Sequence, residues 1–495
     1  MTAVPATPCL TGIEGLDHVL KGGFPRNRFY LILGDPGVGK TTLSIQFLLE
    51  GVQRGERTLY VTLSETRDEL LEVARSHGWS LDAINIVELS ALEQQLSEES
   101  ESTLFHPAEV ELNETTRVIL GEVERVQPQR VVLDSLSELR LLAGNSLRYR
   151  RQLLALKQYF SGRKATVLLL DDGVDLSRDF EAQSIAHGVV SLQNIPPGYG
   201  SERRRLRVLK MRGVNFRGGY HDLVIRKGGM QVFPRLIAAE DRQKLHNGQL
   251  VSGVPGLDTL MGGGLDAGTS NLLIGPAGAG KSVLATVYAL AAAKQGKHVE
   301  IFSFDETREL FLGRAAIVGA EIIPLIESGQ IRVTQVDPAE ITPGELADRV
   351  RQRVREGTAL VIIDSINGYL AAMPEEHHLT LHLHELCSFC SAHSATMLLL
   401  AEQKGLVGHM QMPVDLTYLA DTVILLRHFE VQGEIRQAIS VVKKRSGAHE
   451  RYIREMRIDA NGVRIGEPLS DFHGVLTGTP FYHGDPSKMI TQRDG

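Results

Sequence analysis

Hydrophobic positions along the chain fall into two alternating patterns. FYLILG (29–34), TLYVTLS (58–64), VVLDS (131–135) and TVLLLDD (166–172) are short, nearly unbroken apolar runs. Runs of this length, rich in β-branched residues and leucine, predict strands buried on both faces. Between them, TTLSIQFLLEGVQR (41–54) and RYRRQLLALKQYF (148–160) carry apolar residues at helical spacing. Strands alternating with helices predict a mainly parallel sheet joined by right-handed crossovers. LRVLKMR (206–212), DLVIRK (222–227) and MQVF (230–233) follow with no helix between them, which predicts an antiparallel extension of the sheet.

The whole pattern then occurs a second time. Gly12, Gly15, Gly34, Gly37 and Gly39 recur as Gly253, Gly256, Gly275, Gly278 and Gly280, Lys40 as Lys281 and Glu65 as Glu306, at a constant offset of 241. Further on, VVLDS matches VIIDS (361–365) at an offset of 230, so the first copy carries about eleven extra residues. The acidic, serine-rich stretch 88–109 is the expected place, as a surface loop or short helix. A copy near 240 residues is too long for a stacked repeat, so the chain is a duplicated domain. The expected boundaries are 1–240 and 241–484, with a polar connector near 238–250 and a short tail at 485–495.

Composition narrows the class. At about 150 residues per domain, 495 residues allow roughly three domains; the repeat reduces this to two. With 42% hydrophobic and 23% charged residues the chain reads as globular. A net charge of −7 disfavours a surface that grips nucleic acid throughout. Three cysteines provide no disulfide framework, and with no signal-peptide pattern the expected compartment is the cytoplasm. No apolar run reaches the roughly 18 residues of a membrane span.

Chemistry enters at two glycine-rich loops. Gly34-Asp35-Pro36-Gly37-Val38-Gly39-Lys40-Thr41-Thr42 and Gly275-Pro276-Ala277-Gly278-Ala279-Gly280-Lys281-Ser282-Val283 each follow a strand and open a helix. Both fit G-x-x-x-x-G-K-[ST], in which backbone N–H groups and the helix dipole cradle phosphates. Lys40 and Lys281 then reach the β and γ phosphates of ATP, and Thr41 and Ser282 offer hydroxyls to Mg²⁺. Asp134 and Asp364 each end an apolar strand, where a carboxylate can hold a magnesium-bound water. Glu65 and Glu306 end the second strand of each copy and are candidate proton acceptors. In the second copy the acid is doubled, Asp305-Glu306, where the first has Ser64. Repulsion between neighbouring carboxylates predicts that the second copy holds the stronger base.

These motifs, with the openings Thr11 to Asp17 and Ser252 to Asp258, resemble the KaiC family of RecA-like ATPases along nearly the whole chain. The resemblance implies two RecA-like P-loop domains, a homo-hexameric double ring, ATP and Mg²⁺ at subunit boundaries, and a signalling partner, either KaiB-like or a sensor kinase. It also gives meaning to Lys210-Met211-Arg212 and Lys443-Lys444-Arg445, which resemble the family's pair of cations reaching the γ-phosphate on a neighbouring subunit. The second copy continues Arg445-Ser446-Gly447 where the family more often has Gly-Ser, a change expected to alter the local turn. In PVDLTYLADTVILL (413–426), Thr417 falls at the serine and Tyr418 at the threonine of the family's autophosphorylated pair. The implied activity is a serine/threonine autokinase in the second domain with Thr417 as acceptor, and Tyr418 does not keep the geometry of a second one. Little chain follows the family-like DFHGVLTGTP (471–480), so a KaiA-like activator is not expected.

Other features carry less. His382, His384, Cys387, Cys390 and His393 lie in one predicted helix, where cysteines usually serve as small apolar residues. Arg203-Arg204-Arg205 lacks the aromatic partners of a nucleic-acid path, and Trp79 reads as a packing residue. Two alternatives stay open: a DNA-dependent motor of the same superfamily, and a nucleotide-gated scaffold that barely turns over.

Overall fold

A computed structural model describes residues 7–89, 107–172, 180–196, 200–237, 248–371, 379–403, 416–431, 433–459, 462–476 and 481–482. Most of the inserted stretch 88–109, most of the connector and the tail 485–495 lie outside these residues. The chain divides into two compact units, Met1–Arg235 and Leu236–Gly495.

The first unit is built on β1 (Phe29–Leu33), β2 (Thr58–Thr62), β3 (Asn85–Glu88), β4 (Arg130–Asp134), β5 (Thr166–Asp171), β6 (Gly188–Ile195), β7 (Arg203–Met211), β8 (His221–Arg226) and β9 (Gly229–Phe233). They form one sheet in the order β3-β2-β4-β5-β1-β6-β7-β8-β9. The first six strands are parallel and β7 to β9 antiparallel, as the helix-free stretch 206–233 predicts. In the second unit β10 (Gln249–Leu250) and β11 (Leu265–Asp266) make a small pair. β12 (Ser270–Gly275), β13 (His298–Ser303), β14 (Ile331–Gln335), β15 (Thr358–Asp364), β16 (Thr396–Glu402), β17 (Thr422–Val431), β18 (Glu434–Lys444), β19 (Arg454–Asp459) and β20 (Gly462–Pro468) repeat the sheet in equivalent order. A last pair, β21 (Phe472–His473) and β22 (Phe481–Tyr482), follows. The expected α/β class with two tandem RecA-like domains is the architecture observed.

Each sheet is buried on both faces, with one apolar cluster under the P-loop helix and another on the opposite face. The family-like openings are structural. Asp17 and Asp258 accept from the backbone N–H of Thr11 and Ser252 at 2.8 and 2.7 Å, closing a turn that seats a short helix on the last strand of the sheet. A Cβ at Gly15 would lie 1.7 Å from the Val232 carbonyl oxygen, so only glycine permits that approach. Cys387 and Cys390 are buried in the second unit's core, and the partly buried Trp79 packs against that of the first.

Candidate functional site

Both P-loops leave the C-terminal end of the central parallel strand, β1 or β12, where ligands gather in open α/β sheets. Gly39 and Gly280 hold φ of 106° and 93° at the start of the helices Lys40–Gln53 and Lys281–Lys294. A Cβ would come within 2.4 Å of Ile225 Cδ1 at Gly39 and 2.5 Å of Ile458 Cδ1 at Gly280, so the left-handed backbone favours glycine and a side chain would also crowd the isoleucine tip. Lys40 Nζ donates to the carbonyls of Gly34 and Asp35 and pairs with Asp172 at 2.6 Å. Lys281 Nζ donates to Gly275 and Pro276, and burial lowers its pKa. Around the second loop a cleft of about 490 Å³ is lined by Lys281, Ser282, Asp305, Glu306, Asp364 and Glu402, among others.

The carboxylates gather at the same end of each sheet. Asp134 and Asp364 end strands one place removed from the P-loop strand, with β5 or β16 between. That intervening strand brings Asp171, Asp172 and Glu402 to the site, which the run-by-run reading of the chain passed over. Burial raises the pKa of Asp134 and Asp364, while hydrogen bonds from Tyr60 and Ser282 respectively oppose the rise. Tyr60 OH donates to Asp134 Oδ2 at 2.5 Å. Thr66 and Thr307 cap the helices Arg67–His77 and Arg308–Val318, leaving Glu65 and Glu306 just ahead of the caps.

The two glutamates differ in their surroundings. Burial, then the charge of Asp134, pushes Glu65 up to about 7, and its Oε2 is buried without a hydrogen-bond partner. Glu306 instead meets Arg314, which donates from Nε to Oε1 at 3.2 Å and from Nη2 to Oε2 at 2.8 Å. Asp305, which also lines the cleft, accepts from Ser365 Oγ at 2.6 Å. The doubled acid therefore does not face one proton: one member is held by a hydroxyl and the other by a guanidinium.

Oxygen donors of the kind a hard cation takes converge at each loop. Ser282 bonds Asp364, and in the first unit Thr41 bonds Glu65 beside the unpartnered Oε2. The residues fit Mg²⁺, with Thr41 and Asp134, or Ser282 and Asp364, as the groups that would hold it directly or through water.

The late cations lie elsewhere. β7 runs antiparallel to β6, pairing Lys210 with Val189, and Arg212 N donates to the His187 carbonyl just ahead of β6. This is the end of the sheet opposite the P-loop. Lys210 Nζ donates to the Gln183 and Ala186 carbonyls, and Arg212 to that of Ser184. In the second unit Lys443 Nζ donates to the carbonyls of Thr417 and Ala420, both at 2.7 Å. Arg445 donates to Asp421 Oδ1 and to the Tyr418 carbonyl. Ser446 Oγ donates to Asp266 Oδ2 and Gly447 holds φ of 78°, the form its altered turn takes. Thr417 is half-buried and Tyr418 is 54% exposed.

A sequence model of the KaiC ATPase matches residues 9–237 and 250–470. The chain belongs to the KaiC family. Its relatives include the circadian clock protein KaiC3 of Synechocystis sp., 28% identical with 95% of this chain and 94% of that protein covered. The circadian clock oscillator protein KaiC of Synechococcus elongatus is 26% identical, with 95% and 91% covered. KaiC membership accounts for both nucleotide loops and for their duplication. Among the described residues no helix is long and apolar enough to cross a membrane.

Arg314, Tyr60, Asp172, His428 and Gln437 are additions that motif reading missed. His428 Nε2 and Gln437 Nε2 bond the carbonyls of Ala277 and Gly278, so the hairpin of β17 and β18 touches the second loop. Arg314 breaks the repeat, because its counterpart at the offset of 241 is Val73.

Proposed function

We propose that the chain is an ATP-hydrolysing signalling protein of the KaiC type that assembles as a hexameric double ring and phosphorylates itself on Thr417. The observation that carries this reading is the separation of the parts. In each unit the loop, the acids and the base candidate stand at one end of the sheet, and Lys210/Arg212 or Lys443/Arg445 at the other. A γ-phosphate on one unit's loop lies at the end of the sheet away from that unit's own cations, and in a ring those of a neighbouring copy would reach it. Thr417 shares the end that holds Lys443 and Arg445, so acceptor and cations would arrive together.

In this mechanism Lys281 and the loop amides bind the ATP phosphates. Glu306 takes the proton of the acceptor hydroxyl as that oxygen bonds the γ-phosphorus and ADP leaves. Lys443 and Arg445 steady the charge on the transferring group. Bound Mg²⁺ would supply neutralisation of the β and γ oxygens. In the first unit Glu65 orients and deprotonates water, Lys210 and Arg212 act from the next copy, and slow turnover there leaves ATP mainly as a cement of the ring. A KaiB-like protein or a sensor kinase is the expected partner, in a reducing cytoplasm. The acidic net charge and the KaiC match favour this reading over a DNA motor.

The test is incubation with γ-labelled ATP, with and without single-stranded DNA, followed by phosphosite mapping. Label on Thr417 that Glu306→Gln abolishes while hexamers persist is the expected outcome. DNA-stimulated hydrolysis without label would replace this reading by the motor, and nucleotide-dependent assembly with negligible turnover by the scaffold.

A further inference from the structure

The two nucleotide sites repeat each other at the loop, the lysine and the strand-end aspartate, and part company at the carboxylate ahead of the third helix. Arg314, on the helix Arg308–Val318, holds both oxygens of Glu306 and donates from Nη1 to Thr286 Oγ1 at 3.2 Å. Thr286 in turn donates to the Ser282 carbonyl on the P-loop helix at 2.7 Å. The side chains of Arg314 and Glu306 are 19% and 23% exposed, so the pair is partly shielded from water and from salt. In the first unit the positions of Arg314 and Thr286 are Val73 and Ile45, both apolar and packed into the core. No guanidinium can reach Glu65 from there, and Glu65 Oε2 has no partner.

We propose that Arg314 is a positioning residue that brakes the second site by tying Glu306 to the P-loop helix. For ATP hydrolysis, the water oxygen bonds the γ-phosphorus, its proton passes to a glutamate oxygen, and the bond from that phosphorus to the β–γ bridging oxygen breaks, leaving ADP and phosphate. Both oxygens of Glu306 already accept charge-assisted hydrogen bonds in a planar fork, the strongest arrangement a carboxylate and a single side chain can make. One must be surrendered before Glu306 can take a proton, and the fork also fixes its direction. Glu65 carries no such fork: a single hydroxyl, that of Thr41, bonds it, and its Oε2 is left over. The same loop thus serves a freer base in the first unit and a restrained one in the second.

This inference rests on the assignment of Glu65 and Glu306 as proton acceptors, and its test separates the two ideas. Steady-state hydrolysis is measured in the full chain carrying Glu65→Gln, which leaves turnover to the second site. Adding Arg314→Val should raise kcat roughly tenfold, a fraction of the ~10²–10⁴ a positioned base contributes, with KM little changed. Arg314→Lys, a point charge without the fork, should fall between. Should Arg314→Val fold poorly, Arg314→Val with Thr286→Ile supplies the first unit's own packing. The reciprocal pair, Ile45→Thr with Val73→Arg in a Glu306→Gln chain, should slow the first site. An unchanged or lower kcat in the folded Arg314 variants overturns the brake. Full turnover in the chain carrying both Glu65→Gln and Glu306→Gln would instead overturn the assignment of the bases themselves.

Discussion

At Glu65, burial and the nearby charge of Asp134 override the ordinary acidity of a carboxyl group. Its value moves from near 4.5 to about 7, so the folded chain keeps a proton that the unfolded chain releases across that interval. The stability this group contributes is fully present below about 4.5 and is lost as the pH rises through 7. Glu65→Gln, which cannot ionise, should therefore raise the Tm of the nucleotide-free, chelator-treated chain more at pH 8 than at pH 5. An equal change at both pH values would show that Glu65 titrates normally. Reading residue types could not foresee this, because Glu65 and Glu306 occupy the same place in the same motif. Their surroundings differ at Val73 against Arg314, eight positions further on in the helix that follows.

At the scale of elements, the P-loop helices show how a fold is repeated with different interiors. Arg130 of β4 is fully buried beneath the helix Lys40–Gln53, paired with Glu56 at 2.5 Å and donating to the Leu10 and Phe47 carbonyls. Gly51 makes room for it: a Cβ there would stand 2.6 Å from Arg130 Cδ. In the second copy, at the offsets of 230 and 241, the same places hold Leu360 and Ala292, an apolar strand residue under a helix that can carry a methyl. Gly51→Ala would gain about 1 kcal/mol of helix propensity on an exposed helix. Here it should destabilise the first unit by about 1–3 kcal/mol, the usual cost of overpacking, read as a lower urea midpoint. A higher midpoint would mean that Arg130 yields easily. The strands and their class were legible because each is a short apolar run bounded by polar turns. Their order was not, since nothing in VVLDS or TVLLLDD says that β5 lies between β4 and β1. Asp172 against Lys40 went unseen for that reason.

For the whole molecule, the duplication and the two loops could be read from spacing alone, because loop geometry tolerates few residues at Gly39 or Gly280, while the family came from the resemblance of the motifs together. The place of Lys443 and Arg445 could not, since it depends on the antiparallel return of β18 along β17. That return puts the cations and Thr417 at the end of the sheet away from their own Lys281, and the account requires a neighbouring copy to close the site. The most direct test mixes two chains in the presence of γ-labelled ATP. One carries Lys281→Ala and keeps Thr417 but cannot hold ATP in its second site; the other carries Thr417→Ala and keeps its loop but lacks the acceptor. Neither should take up label on Thr417 alone. Label on Thr417 of the Lys281→Ala chain in the mixture is the predicted result. Wild-type chains that label Thr417 while mixed hexamers do not would place transfer within one subunit and contradict the account.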